Sequence, residues 1–192
     1  MESLTMEANI HASIAELSAV LARFDAQTAQ ILQGSAILIQ TLQAGGKVLT
    51  CGNGGSAADA LHLAEELVGK FLKPRRSLPA ICLAADPTLL TCIANDFEFD
   101  HLFSRQIEGL GKTEDVLVVF STSGNSTNIQ GALEAARAKG MKSIALLGKD
   151  GGKVRGLATL EIIVPSNTTA RIQEAHTLVL HMWLESVEKQ FD

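Results

Sequence analysis

His62 and Glu66 stand four residues apart in a stretch of helical periodicity. That spacing puts both side chains on one helix face, able to share a metal ion or a substrate. Glu65 lies beside them. Asp59 sits one turn earlier, where a carboxylate can orient a ligating histidine. Just ahead of this pair runs Gly52-Asn53-Gly54-Gly55-Ser56. Its glycines let backbone N–H groups wrap an anion, and the helix that follows adds a favourable dipole. An anion cradle one or two turns from a His/Glu pair suggests a phosphorylated substrate with proton or metal chemistry beside it.

A second small polar turn, Ser121-Thr122-Ser123-Gly124-Asn125-Ser126, follows the apolar run at 115–120. In open α/β sheets, ligands bind outside the carboxyl ends of the strands. Capping alone would explain one of these residues, not a run of small polar ones. Neither turn contains a lysine, so neutral donors would hold the anion. Gly52-x-Gly54-x-x-Ala57 also fits the dinucleotide fingerprint, but the acidic residue expected about 20 positions on is missing. Asp86 comes too late, so a dinucleotide is the weaker reading.

Further candidates lie near the carboxyl end, in Arg171-Ile172-Gln173-Glu174-Ala175-His176 and then His181. His62, His176 and His181 fall on two helices that could converge. His11 and His101 read as ordinary surface positions. Gln173 and His181 are separated by roughly 12 Å along a regular helix. They reach one metal only if their side chains lean together, if the first turn is irregular, or if they come from different subunits.

These residues need elements to position them. Helical periodicity over 4–43, broken near Phe24-Asp25, predicts two helices ending at Gly45-Gly46. Short Val/Ile/Leu-rich runs predict strands at 47–51, 79–84, 115–120, 142–147 and 160–164, as buried parallel strands require. Helices are expected near 57–71, 87–94, 100–110, 126–139, 150–157 and 169–190. The alternation predicts an α/β fold, a doubly wound five-stranded parallel sheet sandwiched by helices. Leu178, Val179, Leu180, Met182, Trp183 and Leu184 make the last helix apolar over a broad arc, which suggests cover from a second subunit. The amino-terminal helices would be its bundle partners.

The 192 residues suit a single domain with a full core. The net charge of −5, without a basic stripe, argues against nucleic acid. Lys73, Arg75 and Arg76 read as a solvated loop. No run approaches a membrane span, and the amino-terminal residues lack the marks of a secretory signal. Cys51, Cys82 and Cys92 fit reduced thiols of a cytoplasmic protein, with Cys51 a packing residue.

Cys51-Gly-Asn-Gly-Gly-Ser56, His62-x-x-Glu65-Glu66-Leu, Asn95-Asp96, Ser121-Thr-Ser-Gly-Asn-Ser126, Gly148-x-x-Gly-Gly152 and Arg171-Ile-Gln-Glu-x-His176 follow in this order. Over its whole length the chain resembles the sedoheptulose 7-phosphate isomerases, or phosphoheptose isomerases, of the sugar-isomerase (SIS) superfamily. The resemblance implies one SIS domain over 1–192, with 1–45 an oligomerisation extension. It implies a homotetramer with interface active sites, each with one zinc ion. It also implies conversion of sedoheptulose 7-phosphate to D-glycero-D-manno-heptose 7-phosphate, the first step towards ADP-heptose for the lipopolysaccharide core. Carried over by motif, the zinc ligands are His62, Glu66, Gln173 and His181. Substrate contacts are Asn53, Gly54, Gly55, Asn95, Asp96, Ser121, Thr122, Ser123, Ser126 and Gln173. Glu66 is the implied base and His181 the acid, with Glu65 taking over if Glu66 is a tight ligand. Some members carry aspartate at the position of Ala170 and arginine at that of Lys70, which loosens any third acid/base assignment. Other SIS relatives bind the replication initiator DnaA without catalysis, but they lack the paired glutamates and the late histidine. An SIS isomerase for another sugar phosphate is the remaining alternative.

Overall fold

The computed structural model describes residues 2–191. Two helices come first, α1 (Glu2–Phe24) and α2 (Thr28–Gln43), hinged by a short 3-10 turn at Asp25–Gln27. Strands and helices then alternate: β1 (Val48–Gly52), α3 (Gly55–Val68), β2 (Ala80–Cys82), α4 (Pro87–Phe97), α5 (Ser104–Leu110), β3 (Val116–Ser121), α6 (Thr127–Ala138), β4 (Lys142–Gly148), β5 (Leu160–Val164) and α7 (Thr169–Glu188). All five strands are parallel, in the order β2-β1-β3-β4-β5. Strand order reverses between β1 and β3, and ligands bind at the carboxyl ends of such a switch point.

Side chains alternate across the sheet, as a pleated strand dictates. Val48, Val116, Val118, Phe120, Ile144, Leu146 and Ile162 pack under α2, α3 and α7. Leu49, Cys51, Leu117, Val119, Ala145 and Leu147 pack on the other face, with Ile107, Ile129 and Leu133 of α5 and α6. Cys51 is fully buried in that layer, and burial pushes its thiol pKa well up. That suits a packing role and not a nucleophile.

Four details differ from expectation. The segment at 150–157 is only a 3-10 turn at Gly152–Val154. Gly151, Gly152 and Gly156 all have positive φ, which an α-helix excludes. The stretch at 100–110 begins as a 3-10 turn, and α5 starts only at Ser104. The basic cluster is not a solvated loop throughout. Arg75 is buried, donating to the carbonyls of Glu66 and Leu67 at 2.7 and 2.9 Å and lying 3.8 Å from the Glu188 carboxylate. Helix α3 ends at Val68, because Glu188 draws the N–H groups of Phe71 and Leu72 into its own hydrogen bonds.

The breadth of apolar sequence on α7 is met inside the chain. Trp183 is fully buried, its indole N–H donating to the Ile31 carbonyl of α2 at 2.9 Å. Gly34 leaves the room, since a Cβ there would strike the indole. Leu178 and Met182 alone line an open groove, with Leu21, Phe24, Ile31 and Leu32. The chain's own helices thus cover Trp183 and the core face of α7, and leave Leu178 and Met182 in the groove.

Candidate active site

The two glycine- and serine-rich turns leave the neighbouring strands β1 and β3 side by side. Gly52 must be glycine, because a Cβ would meet the Ser56 carbonyl, and Gly54 has φ of 57°. Helix α3 opens straight from Gly54 with no side-chain cap, and the Ser56 and Ala57 N–H groups turn back onto the Asn53 and Gly54 carbonyls at 3.0 Å, which fixes the shape of the turn. In the second turn, Ser121 Oγ accepts from the Gly124 N–H at 3.1 Å, and Ser123 Oγ accepts from the Asn125 N–H at 3.2 Å. Each hydroxyl oxygen is thus satisfied while its proton is free to donate outward. Ser126 holds the N-cap position of α6 yet makes no capping bond. Asn53, Ser56, Ser121, Thr122, Ser123 and Ser126 close round a cavity of about 60 Å³ above Phe120. The cavity is small, polar and free of carboxylates, which suits a phosphate group.

Two braces hold the cradle. Asn53 and Asn128 exchange a pair of amide hydrogen bonds at 2.8 and 2.9 Å. Asn128 is buried on α6 and was not singled out by any sequence pattern. The segment 148–154 backs the second turn, with the Val154 N–H on the Gly124 carbonyl and the Lys153 N–H on Asn125 Oδ1. Gly124 has φ of 62°, and a Cβ there would run into Gly151. Gly124→Ala is therefore expected to cost about 1–3 kcal/mol through backbone strain alone. Thermal melting and KM should both worsen, and a variant matching the wild type in both would show that the brace is unimportant.

Helices α3 and α7 then run side by side in the same direction. Gln173 packs against Gly55, Thr177 donates to Asp59 Oδ1 at 2.8 Å, and the His181 ring lies 5.0 Å from that of His62. Each step of this ladder descends about one turn. His62 Nε2 is 3.6 Å from Glu66 Oε1. Donor atoms of His62, Glu65 and Glu66 lie within 4.8 Å of one another. Two imidazoles with flanking carboxylates form a donor set suited to zinc.

The structure thus gathers His62, Glu65, Glu66 and His181. Gln173 is set apart at the mouth of the cradle, two turns nearer the amino end of α3. Asn95 and Asp96 stand elsewhere, exposed on α4 and hydrogen-bonded to each other, with Cys92 against Asp96. Asp59 meets Thr177 and acts on His62 only through its charge. Burial pushes its carboxyl above the ordinary value, while Thr177 and His62 pull against that rise. His176 does not join His62. It is buried with Nε2 on the Leu147 carbonyl at 3.1 Å. Asp86 caps α4 through the N–H groups of Thr88 and Leu89.

A parallel α/β domain with an anion cradle at its switch point, beside a His/Glu cluster, is a frame for sugar-phosphate chemistry. Residues 14–148 match the SIS domain family. The chain is 48% identical over 185 residues to the phosphoheptose isomerase of Vibrio cholerae, covering 94% of this chain and 96% of that one. It is 53% identical over 154 residues to that of Citrifermentans bemidjiense, 80% of each. Its fold superposes on a phosphoheptose isomerase structure from Francisella tularensis with a TM-score of 0.92, at 34% identity, covering 95% and 97% of the two chains. The chain belongs to the phosphoheptose isomerases of the SIS family, and it is an isomerase.

Proposed function

We propose that the chain converts sedoheptulose 7-phosphate to D-glycero-D-manno-heptose 7-phosphate, the entry step to ADP-heptose and the lipopolysaccharide core. The observation that carries this reading is the single helix, α3, whose head lines the anion cradle and which bears His62 and Glu66 about two and three turns further on. A phosphate held at the head lets an extended sugar chain run along the helix to these side chains.

Isomerisation removes a proton from C1, passes through an enediol and returns a proton to C2. It needs a base, an acid and stabilisation of oxyanion charge. Glu66 is the base. His181 exchanges protons with the substrate oxygens on C1 and C2. Neutral hydroxyls and N–H groups of the cradle fix the phosphate and so the register of the carbons. A zinc ion held by His62, Glu66 and His181 would supply Lewis-acid polarisation of those oxygens, and Gln173, two turns away within the chain, would complete the set from a second subunit. In one chain Gln173 rests on Gly55, a position suited to touching substrate as well.

We also infer a homotetramer with interface active sites, the segment 1–45 serving as the oligomerisation extension of a single SIS domain. Support comes from Met6, Ile10, Ile14, Leu32 and Met182, apolar side chains left exposed on the helices, and from Asn95 and Asp96, exposed on α4 and hydrogen-bonded to each other. No helix among the described residues is long and apolar enough to cross a membrane. A cytoplasmic location accords with this and with a sugar-phosphate substrate.

The test is incubation of purified protein with sedoheptulose 7-phosphate, with and without prior metal removal. Aldose product should form, fall on chelation and return with zinc. Absence of product with zinc present would reject the isomerase reading. Turnover untouched by complete metal removal would reject the role of zinc alone.

A further inference from the structure

The His181 ring has two aromatic neighbours. His62 meets it edge-on, at 5.0 Å and 81°. Phe71 lies nearly flat against it, at 5.4 Å between centroids and 24° between planes. The terminal torsion of an imidazole is broad and roughly two-fold. A flat neighbour on one side and an edge on another restrict that rotation.

Phe71 is not on a helix. It sits in the segment that leaves α3, where nothing in the local backbone fixes its position. The anchor is Glu188, two turns beyond His181 on α7. Its carboxylate accepts from the Phe71 N–H at 3.2 Å and from the Leu72 N–H at 3.0 Å. Arg75 closes the arrangement from the other side. Its guanidinium lies 3.8 Å from Glu188, with both side chains almost fully buried, at 1% and 6% exposure. The same guanidinium donates to the carbonyl of Glu66 at 2.7 Å. The clamp therefore ties together the helix bearing His181, the end of the helix bearing Glu66, and the segment bearing Phe71.

A buried ion pair is weak evidence of stabilisation, since desolvation can exceed the Coulombic gain. Its use here is one of position. We propose that Phe71 is a positioning residue for His181, held against the imidazole by the Glu188–Arg75 clamp so that one ring nitrogen stays aimed at the substrate oxygens. The inference rests on His181 as the acid of the proposed reaction. Small displacements of a reacting group can cost about 100-fold in rate.

The test uses the full-length protein with Phe71→Ala, Phe71→Tyr and Glu188→Gln. Phe71→Ala should lower kcat about tenfold or more while KM stays within about twofold, because the phosphate cradle is untouched. Thermal melting controls for folding. The second readout is the His181 ring resonance in histidine-labelled protein, assigned by its loss in His181→Gln. Phe71→Ala should move that resonance by removing the ring current, Phe71→Tyr should restore both resonance and kcat, and Glu188→Gln should shift both the same way as Phe71→Ala. Wild-type kcat in Phe71→Ala, an unmoved resonance, or failure of Phe71→Tyr to restore turnover would overturn the proposal. Wild-type protein inactive on sedoheptulose 7-phosphate would instead reject the proposed reaction, and the resonance would still decide whether Phe71 holds the ring.

Discussion

Glu66→Gln is expected to lower kcat by about 100- to 10,000-fold, the range for loss of a positioned proton-transfer group. The substitution keeps the size of the side chain and its place 3.6 Å from His62. It removes the negative charge, and with it both the ability to take up a proton and the carboxylate's hold on a metal ion. KM should change little, since Glu66 takes no part in the cradle of Asn53, Ser56, Ser121, Thr122, Ser123 and Ser126. The oligomer should persist. Zinc content measured on the same preparations separates loss of the base from loss of a ligand. His181→Ala should cause a loss of similar order, and the double variant should lose less than the product of the two, as groups acting as a unit do. Near-full rate in Glu66→Gln would pass the role of base to Glu65.

The second large effect concerns stability in acid. His176 is fully buried on the sheet-facing side of α7, and its Nδ1 has no partner among the described residues. Burial lowers its pKa from 6.5 to about 4, against the opposing hydrogen bond to Leu147. Nε2 carries the proton in that bond, a tautomer assigned from the carbonyl it faces. Below pH 6.5 the unfolded chain binds a proton that the folded chain refuses, so stability falls as pH drops towards about 4. The span of this shift corresponds to a loss of about 3 kcal/mol. Asp115 and Glu188 have lowered pKa values despite burial, because Lys47 with the backbone at 47 and 112 holds one, and N–H groups of residues 71–73 with Arg75 hold the other. Their stability is present above the ordinary carboxylate range and is lost at still lower pH. Urea unfolding of the wild type at pH 7 and at pH 5 should differ strongly. His176→Gln should be less stable at pH 7 but show a flatter dependence between the two. An equal slope in both proteins would contradict the assignment.

Much of this arrangement was legible in the sequence. Buried parallel strands announce themselves as short Val/Ile/Leu runs, and the glycines at 52, 54 and 55 and the hydroxyls at 121–126 can be read as an anion site from their chemistry alone. The i, i+4 spacing of His62 and Glu66 gave the second half. What the sequence leaves hidden depends on distant partners. Nothing near Arg75 in the chain shows that Glu188 will bury it. Asn128 looks like any helical asparagine until Asn53 meets it. Glycines at 151, 152 and 156 made a helix untenable, but only their positive φ values reveal it. The parallel course of α3 and α7, which puts Gln173 at Gly55 and His181 at His62, is a property of packing and not of either segment alone.

The central claim is that the cluster of His62, Glu66 and His181 carries out ketose–aldose proton transfer on a phosphate held by the two turns. The most direct measurement is conversion of sedoheptulose 7-phosphate in deuterated water, followed by proton NMR of the aldose for wild type and Glu66→Gln. Wild-type enzyme should yield D-glycero-D-manno-heptose 7-phosphate with deuterium at C2, and Glu66→Gln should yield almost none. No aldose from the wild type, or aldose formed at the same rate by Glu66→Gln, would contradict it.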